Sequence, residues 1–289
     1  EQVGELSMDF LHDGIPMPTR EALWVKPVAA EPAGPQPPES TEDCLTALLA
    51  HPNIASKHWI IRQYDHEVQG NTLIKPLTGT AGRGPSDASV LEPVPGKGKG
   101  LAIACGLQVG VGDASLGGDP YQMALAGIDE CVRNLVCVGA DPDRIAILDN
   151  FCMGNPDNER ELGALVECTK GMAKAAIAYG APFVSGKDSF YNYFVTDEGP
   201  VSIPVTLLLS GFGIVEDAKH VVGASLRRVG SKIAVLGKVS AGLRGSIVAK
   251  YTRGIGLDAG PSFDEAESMA AYRRYFDLVK QGAILSAHD

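Results

Sequence analysis

The feature that most constrains this chain is an alternation of long amphipathic helices with short apolar runs. Residues 121–138 and 160–179 carry apolar side chains at i, i+3 and i+4 spacing, which predicts two helices. After each comes a run too short for a helix: Ile145-Ala146-Ile147-Leu148 and Phe183-Val184. Runs of that length, apolar throughout, read as buried strands. Residues 72–75, 87–91, 100–106 and 205–212 add four more strand candidates. The connections are too irregular for a plain doubly wound sheet. The expected fold is of the α/β class in α+β layers, one mixed sheet with two helices on one face.

At 289 residues the chain has length for one large domain or two modest ones. Residues 1–26 read as the tail of a preceding domain, closing on an aromatic cluster around Trp24. Residues 27–51 read as a linker, with Pro27, Pro32, Pro35, Pro37 and Pro38, and then a short helix capped by Ser40 and Asp43. Residues 52–217 form the main domain. Residues 218–289 open another, with a strand at 232–236 and a helix at 265–281, and lack the chain to finish it. The start at Glu1 and the stop at Asp289 give the impression of a piece of a longer polypeptide. A net charge of −10 argues against nonspecific nucleic-acid binding. No apolar run suits a membrane span and no signal peptide opens the chain. The six cysteines form no C-x-x-C pair, and four lie in apolar surroundings, so reduced core thiols and a cytoplasmic location are expected. Cys152, beside a polar motif, has no histidine near it in sequence.

The chemistry concentrates in Ala181–Asn192, APFVSGKDSFYN. A strand that breaks at a Ser185-Gly186 turn and continues into Lys187, Asp188 and Ser189 suits phosphate, since glycine admits an oxyanion close to the backbone. It reads equally as an ordinary strand-to-loop junction. It is not a Walker A loop, because Gly180 to Gly186 is one residue too long and Asp188 follows the lysine. Glu130 and Asn134, at i and i+4, share a helix face and offer oxygen to magnesium, or belong to a solvated face with Asp129 and Arg133. Asp149, at the end of a buried strand, either points into a ligand crevice or closes an Asx-turn. Asp87 sits in GPSDASV at a loop-to-strand junction, and His66 lies in the polar run RQYDHEVQG as an acid–base or a structural histidine. No acyl-transfer triad or zinc pattern is present. Carboxylates, amides, glycines and one lysine together suit ATP-dependent chemistry that works by positioning and electrostatics.

The runs RQYDHEVQG (62–70), GPSDASV (84–90), DPYQMALAGIDECVRNLVCVGADPDRIAILDNFCMGNP (119–156), YGAPFVSGKDSFYN (179–192), the opening FLHDGIP (10–16) and the closing SAHD (286–289) jointly resemble the formylglycinamide ribonucleotide amidotransferase, or phosphoribosylformylglycinamidine synthase, family. The resemblance implies an aminoimidazole-ribonucleotide-synthetase-like architecture of two halves, with this chain holding the end of the first half and the ATP-binding domain of the second. It implies an ATP-dependent ligase of purine biosynthesis. ATP phosphorylates the amide oxygen of formylglycinamide ribonucleotide to an iminophosphate, and ammonia from a glutaminase domain or subunit displaces phosphate. By position, Asp149 and Gly186 resemble ATP contacts and Ser189 a substrate contact. Lys187 stands where some members place a magnesium-binding Asn, and as a cation it would neutralise phosphate instead. Asp87, Glu130, Asn134 and Asp289 resemble ligands of Mg2+ at a nucleotide site that is structural in the longer members. The family's catalytic histidines lie in its first half, outside this chain, so the remaining halves of the polypeptide are implied partners and this piece alone is expected to be inactive. Leu243-Arg244-Gly245-Ser246 departs from the usual L-G-G-S, placing a bulky cation in a turn suited to positive φ.

Two other readings compete. One is a nucleotide-binding scaffold in which Asp87, Glu130 and Asn134 hold MgADP for stability alone. The other is a related synthetase of the same superfamily, against which RQYDHEVQG and DNFCMGNP argue.

Overall fold

The computed structural model describes residues 2–14, 17–28, 40–65, 67–238, 242–248, 260 and 262–289. His66 and most of the proline-rich linker lie outside these. In chain order the helices are α1 (Met8–Asp13), α2 (Thr41–Ala50), α3 (His58–Ile61), α4 (Val109–Gly112), α5 (Pro120–Cys137), α6 (Glu159–Tyr179) and α7 (Glu265–Lys280). The strands are β1 (Thr72–Ile74), β2 (Leu77–Thr78), β3 (Gly84–Pro85), β4 (Ser89–Leu91), β5 (Gly100–Leu107), β6 (Ile145–Cys152), β7 (Phe183–Ser189), β8 (Tyr193–Thr196), β9 (Gly199–Ser202) and β10 (Thr206–Val215).

Six strands make one sheet in the order β1-β4-β5-β10-β6-β7. Only β6 and β7 run parallel, so the sheet is mixed, as expected. Along β10 buried and half-buried residues alternate strictly, the pattern of a sheet packed hard on one face. That face carries α5 and α6. Met123, Ile128 and Leu135 of α5 are fully buried together with Ile147, Leu207 and Leu209 of the sheet. The side chains of Asp119, Asn158 and Asp264 cap α5, α6 and α7 by accepting from backbone N–H groups of the first turn. Ser40 caps α2 in the same way, where the capping pattern placed it.

Helix α5 lies unusually close to β5. The carbonyl oxygen of Gly127 would stand 2.0 Å from any Cβ at Gly106, so only glycine fits there. This contact sets the height of α5 above the sheet and hence the position of its polar residues.

Several local expectations change. The apolar run 145–148 continues as a strand to Cys152, so Asp149 is a mid-strand residue rather than a strand end. Strand β7 likewise continues through Ser185-Gly186, after a register shift at Val184, and no turn forms there. Pairing with β6 gives its backbone the partners that a turn would otherwise supply. Residues 232–236 form no strand: Ile233 and Val235 are 84% and 78% exposed, and β-branched composition without a neighbouring strand builds no ladder. In the L-R-G-S loop the positive φ, 87°, falls on Gly245, and Arg244 avoids the left-handed region.

Candidate functional site

The candidate residues fall into two groups at one end of the sheet. The first gathers around the end of β5. Asp87 lies two residues before β4, the strand that pairs with β5. The Asn134 side-chain amide donates to the Cys105 carbonyl at 3.0 Å, and the Leu107 N–H donates to Glu130 Oε2 at 2.6 Å. Helical spacing thus lets Glu130 and Asn134 both bond to the backbone at the end of β5. From the far end of the sequence, His288 Nδ1 reaches Asp87 Oδ1 at 2.6 Å. Asp289 follows, and one ligand atom from each of Asp87, His288 and Asp289 lies within 4.8 Å of the others.

Burial dominates the electrostatics of this group. Burial raises the carboxyl pKa of Asp87 despite its bond to His288, and the nearby Asp289 adds to the rise. Burial likewise raises Glu130. Asn134 is 8% exposed, and its Oδ1 is a buried oxygen with no hydrogen-bond partner. Buried oxygens are ordinarily satisfied. A hard divalent cation such as Mg2+ takes carboxylate and amide oxygens of this kind as ligands. The residues present thus fit the metal. His288 was not foreseen as a site residue, although it precedes Asp289 in the SAHD run.

The second group lies on β6 and β7, with Asp149 three strands from Asp87, about 14 Å at the usual strand spacing. Asp149 pairs with Gly186 in the ladder, and a Cβ at Gly186 would meet Asp149 Oδ1 at 2.5 Å. The glycine does admit an oxyanion, but the oxyanion is the chain's own carboxylate. Asp188 reaches the same carboxylate. Burial first, then Asp188, raises the pKa of Asp149. Successive strand residues alternate faces, so Gly186 and Asp188 share the side of Asp149, while Lys187 and Ser189 occupy the other. Lys187 Nζ donates to Ser189 Oγ at 2.8 Å there. The polar side chains of the run that suits phosphate therefore lie on opposite faces of an edge strand.

The structure also corrects the reading of Asp129 and Arg133 as a solvated face. Asp129 is 3% exposed. Its carboxylate accepts from Tyr179 Oη at 2.5 Å, from Tyr272 Oη at 2.7 Å and from the guanidinium of Arg133. The signal was present in the helix period, since Asp129 falls on the apolar stripe with Ala126 and Val132. The six cysteines are free, and burial pushes Cys131, Cys137 and Cys168 up to about 12. Among the described residues no helix is long and apolar enough to cross a membrane.

Residues 85–215 match the family model "AIR synthase related protein, N-terminal domain". The phosphoribosylformylglycinamidine synthase subunit PurL of Anaeromyxobacter dehalogenans is 33% identical over the whole of this chain, which covers 37% of that protein. The PurL subunit of Thermosynechococcus vestitus is 35% identical over 88% of the chain and 33% of its own length. The solved structure of T. maritima PurL complexed with FGAR shares 22% identity with a TM-score of 0.47, covering 78% of this chain and 29% of that one. The chain spans about a third of the length of the curated relatives it matches. Residues 85–215 are thus similar to an AIR synthase related N-terminal domain, in a chain similar along its whole length to a part of the PurL subunit of phosphoribosylformylglycinamidine synthase.

Proposed function

We propose that this chain supplies a nucleotide- and magnesium-binding domain to an ATP-dependent ligase of purine biosynthesis, one that converts formylglycinamide ribonucleotide to its amidine with ammonia. The observation that carries the reading is the convergence of Asp87 with His288, 201 residues later in the chain, and with Asp289. Asp87, Glu130, Asn134 and Asp289 would hold Mg2+, which when bound neutralises nucleotide phosphates. Asp149 and Gly186, on the helix-side face of β6 and β7, would contact ATP. Lys187 and Ser189, together on the other face, would take an anionic part of the substrate, the ammonium as charge and the hydroxyl as hydrogen-bond partner. In the full reaction ATP transfers its phosphoryl group to the amide oxygen, and ammonia from a glutaminase partner then displaces phosphate. Residues 52–217 form the binding domain in this reading, preceded by a tail and linker and followed by the opening of a second domain in a cytoplasmic enzyme.

One observation favours a second reading, a MgADP scaffold without chemistry. The strand that follows Asp87 and the strand that carries Asp149 are three places apart in the sheet, about 14 Å at the usual strand spacing. The two readings separate by ammonia-driven phosphate release from ATP with formylglycinamide ribonucleotide, measured on the synthetase that carries this chain. Release lost in both Asp149→Asn and Ser189→Ala supports the catalytic reading. Release untouched in both, with nucleotide binding lost in Asp87→Asn, supports the scaffold. Mg2+-independent nucleotide binding that survives Asp87→Asn refutes the metal assignment in both.

A further inference from the structure

Arg133 is used by neither group above, yet it is bonded at both ends. Its guanidinium donates NH1 to the buried carboxylate of Asp129 and donates Nε and NH2, at 3.1 and 2.9 Å, to Asp289 Oδ2. Asp129 is itself held by Tyr179 of α6 and Tyr272 of α7, whose rings stack at 6.5 Å between centroids. The anchor therefore ties three helices together, and the fork extends from it to one oxygen of Asp289. The other oxygen, Oδ1, is left 4.0 Å from His288 Nδ1, on the side of Asp87.

We infer that Arg133 is the positioning residue of the metal site: its fork, braced on the Asp129–Tyr179–Tyr272 cluster, fixes Asp289 with Oδ1 presented to the cation. The inference rests on the metal assignment proposed above. A carboxylate on a freely rotating side chain loses rotamer entropy when it ligates, and an outer-shell donor removes that loss in advance. Arginine suits the role because its planar fork addresses two carboxylates at once, which an ammonium on a flexible stem does not.

A different role for Arg133 predicts the opposite sign. If it were only a counter-charge in an acidic group, removing it would strengthen cation binding, because a positive charge beside the site repels a metal. The test is Mn2+ binding to residues 1–289, followed by the loss of the free-ion electron paramagnetic resonance signal and by calorimetry. Far-UV circular dichroism and a urea midpoint accompany each variant. In Arg133→Met we expect Mn2+ affinity to fall about tenfold or more, the usual range for outer-shell partners. Arg133→Lys keeps the charge and loses the fork, so it should fall nearly as far. Asp129→Asn, which loosens the anchor without touching a ligand, should weaken binding too. Tighter or unchanged Mn2+ binding in a folded Arg133→Met, or wild-type binding in Arg133→Lys, overturns the inference while leaving the metal site standing. Should Arg133→Met not fold, Arg133→Lys decides alone. Absence of Mn2+ binding by the wild type, or binding that survives Asp87→Asn, overturns the metal assignment and this inference with it.

Discussion

Gly106→Ala should be among the most damaging single-methyl changes in the chain. The added Cβ would stand 2.0 Å from the carbonyl oxygen of Gly127 and 2.9 Å from the backbone nitrogen of Cys131. Ordinary contact begins at 3.4 Å, and both obstacles are backbone, so β5 and α5 must part by about 1.4 Å, the difference between contact and clash. Overpacking of a close-packed interface costs about 1–3 kcal/mol. The separation also strains the Asn134–Cys105 bond at 3.0 Å and the Glu130–Leu107 bond at 2.6 Å, worth about 1 and 1.5–3 kcal/mol. Glu130 has length to follow the strand and Asn134 has little, so only the Asn134 bond is lost and the sum expected is about 2–4 kcal/mol, a substantial part of the stability of an ordinary domain. Urea denaturation measures it as a lowered midpoint at unchanged slope. Gly127→Ala is the control: its Cβ meets only the flexible end of Leu209 at 3.3 Å, and alanine gains about 0.8–1 kcal/mol over glycine in a helix. Gly127→Ala should be neutral within 1 kcal/mol. Gly106→Ala within 1 kcal/mol of wild type would refute the argument that this contact sets the helix height.

At Gly186 the obstacle to alanine is the carboxylate of Asp149, a side chain that can swing away. Gly186→Ala should therefore cost little stability, about 1 kcal/mol or less, yet weaken ATP binding about tenfold, which calorimetry checks. Asp149 is held above the usual carboxylate range by burial and by Asp188, so its ionised form is disfavoured in the folded state. Its ionisation thus removes stability as pH rises through the folded pKa. Asp149→Asn should match wild type near pH 3 and exceed it increasingly toward pH 7, read as melting temperature, and a gap that narrows with rising pH would contradict the assignment. Asp129→Ala leaves the Arg133 guanidinium and two phenols short of their acceptor, and should cost about 3–5 kcal/mol. Tyr179→Phe or Tyr272→Phe removes one donor and should cost about 1 kcal/mol, again by urea titration. Millimolar MgCl2 should raise the melting temperature of the wild type and leave that of Asp87→Asn unmoved, since only a ligand bound to the native state stabilises it.

Much of the framework follows from local rules that operate within a few residues. Helices α5 and α6 are announced by their 3.6-residue apolar period. Strands β5, β6 and β10 are announced by short apolar runs, and the motif runs carry the family. Glu130 and Asn134 were legible as a pair because helical spacing is fixed by the backbone alone.

Tertiary structure decided what those residues do. Ser185-Gly186 reads as a turn until β6 lies parallel beside it and takes up its hydrogen bonds. It then becomes a strand, and strand pleating sends Lys187 and Asp188 to opposite faces. Asp129 reads as solvated until Tyr272, 143 residues later, closes over it. His288 meets Asp87 across 201 residues, a juxtaposition no local spacing encodes. Backbone geometry sets periodicity, capping and shared helix faces from sequence neighbours alone. Burial, strand pairing and the meeting of charges depend on which distant segment arrives, and only the folded chain fixes that.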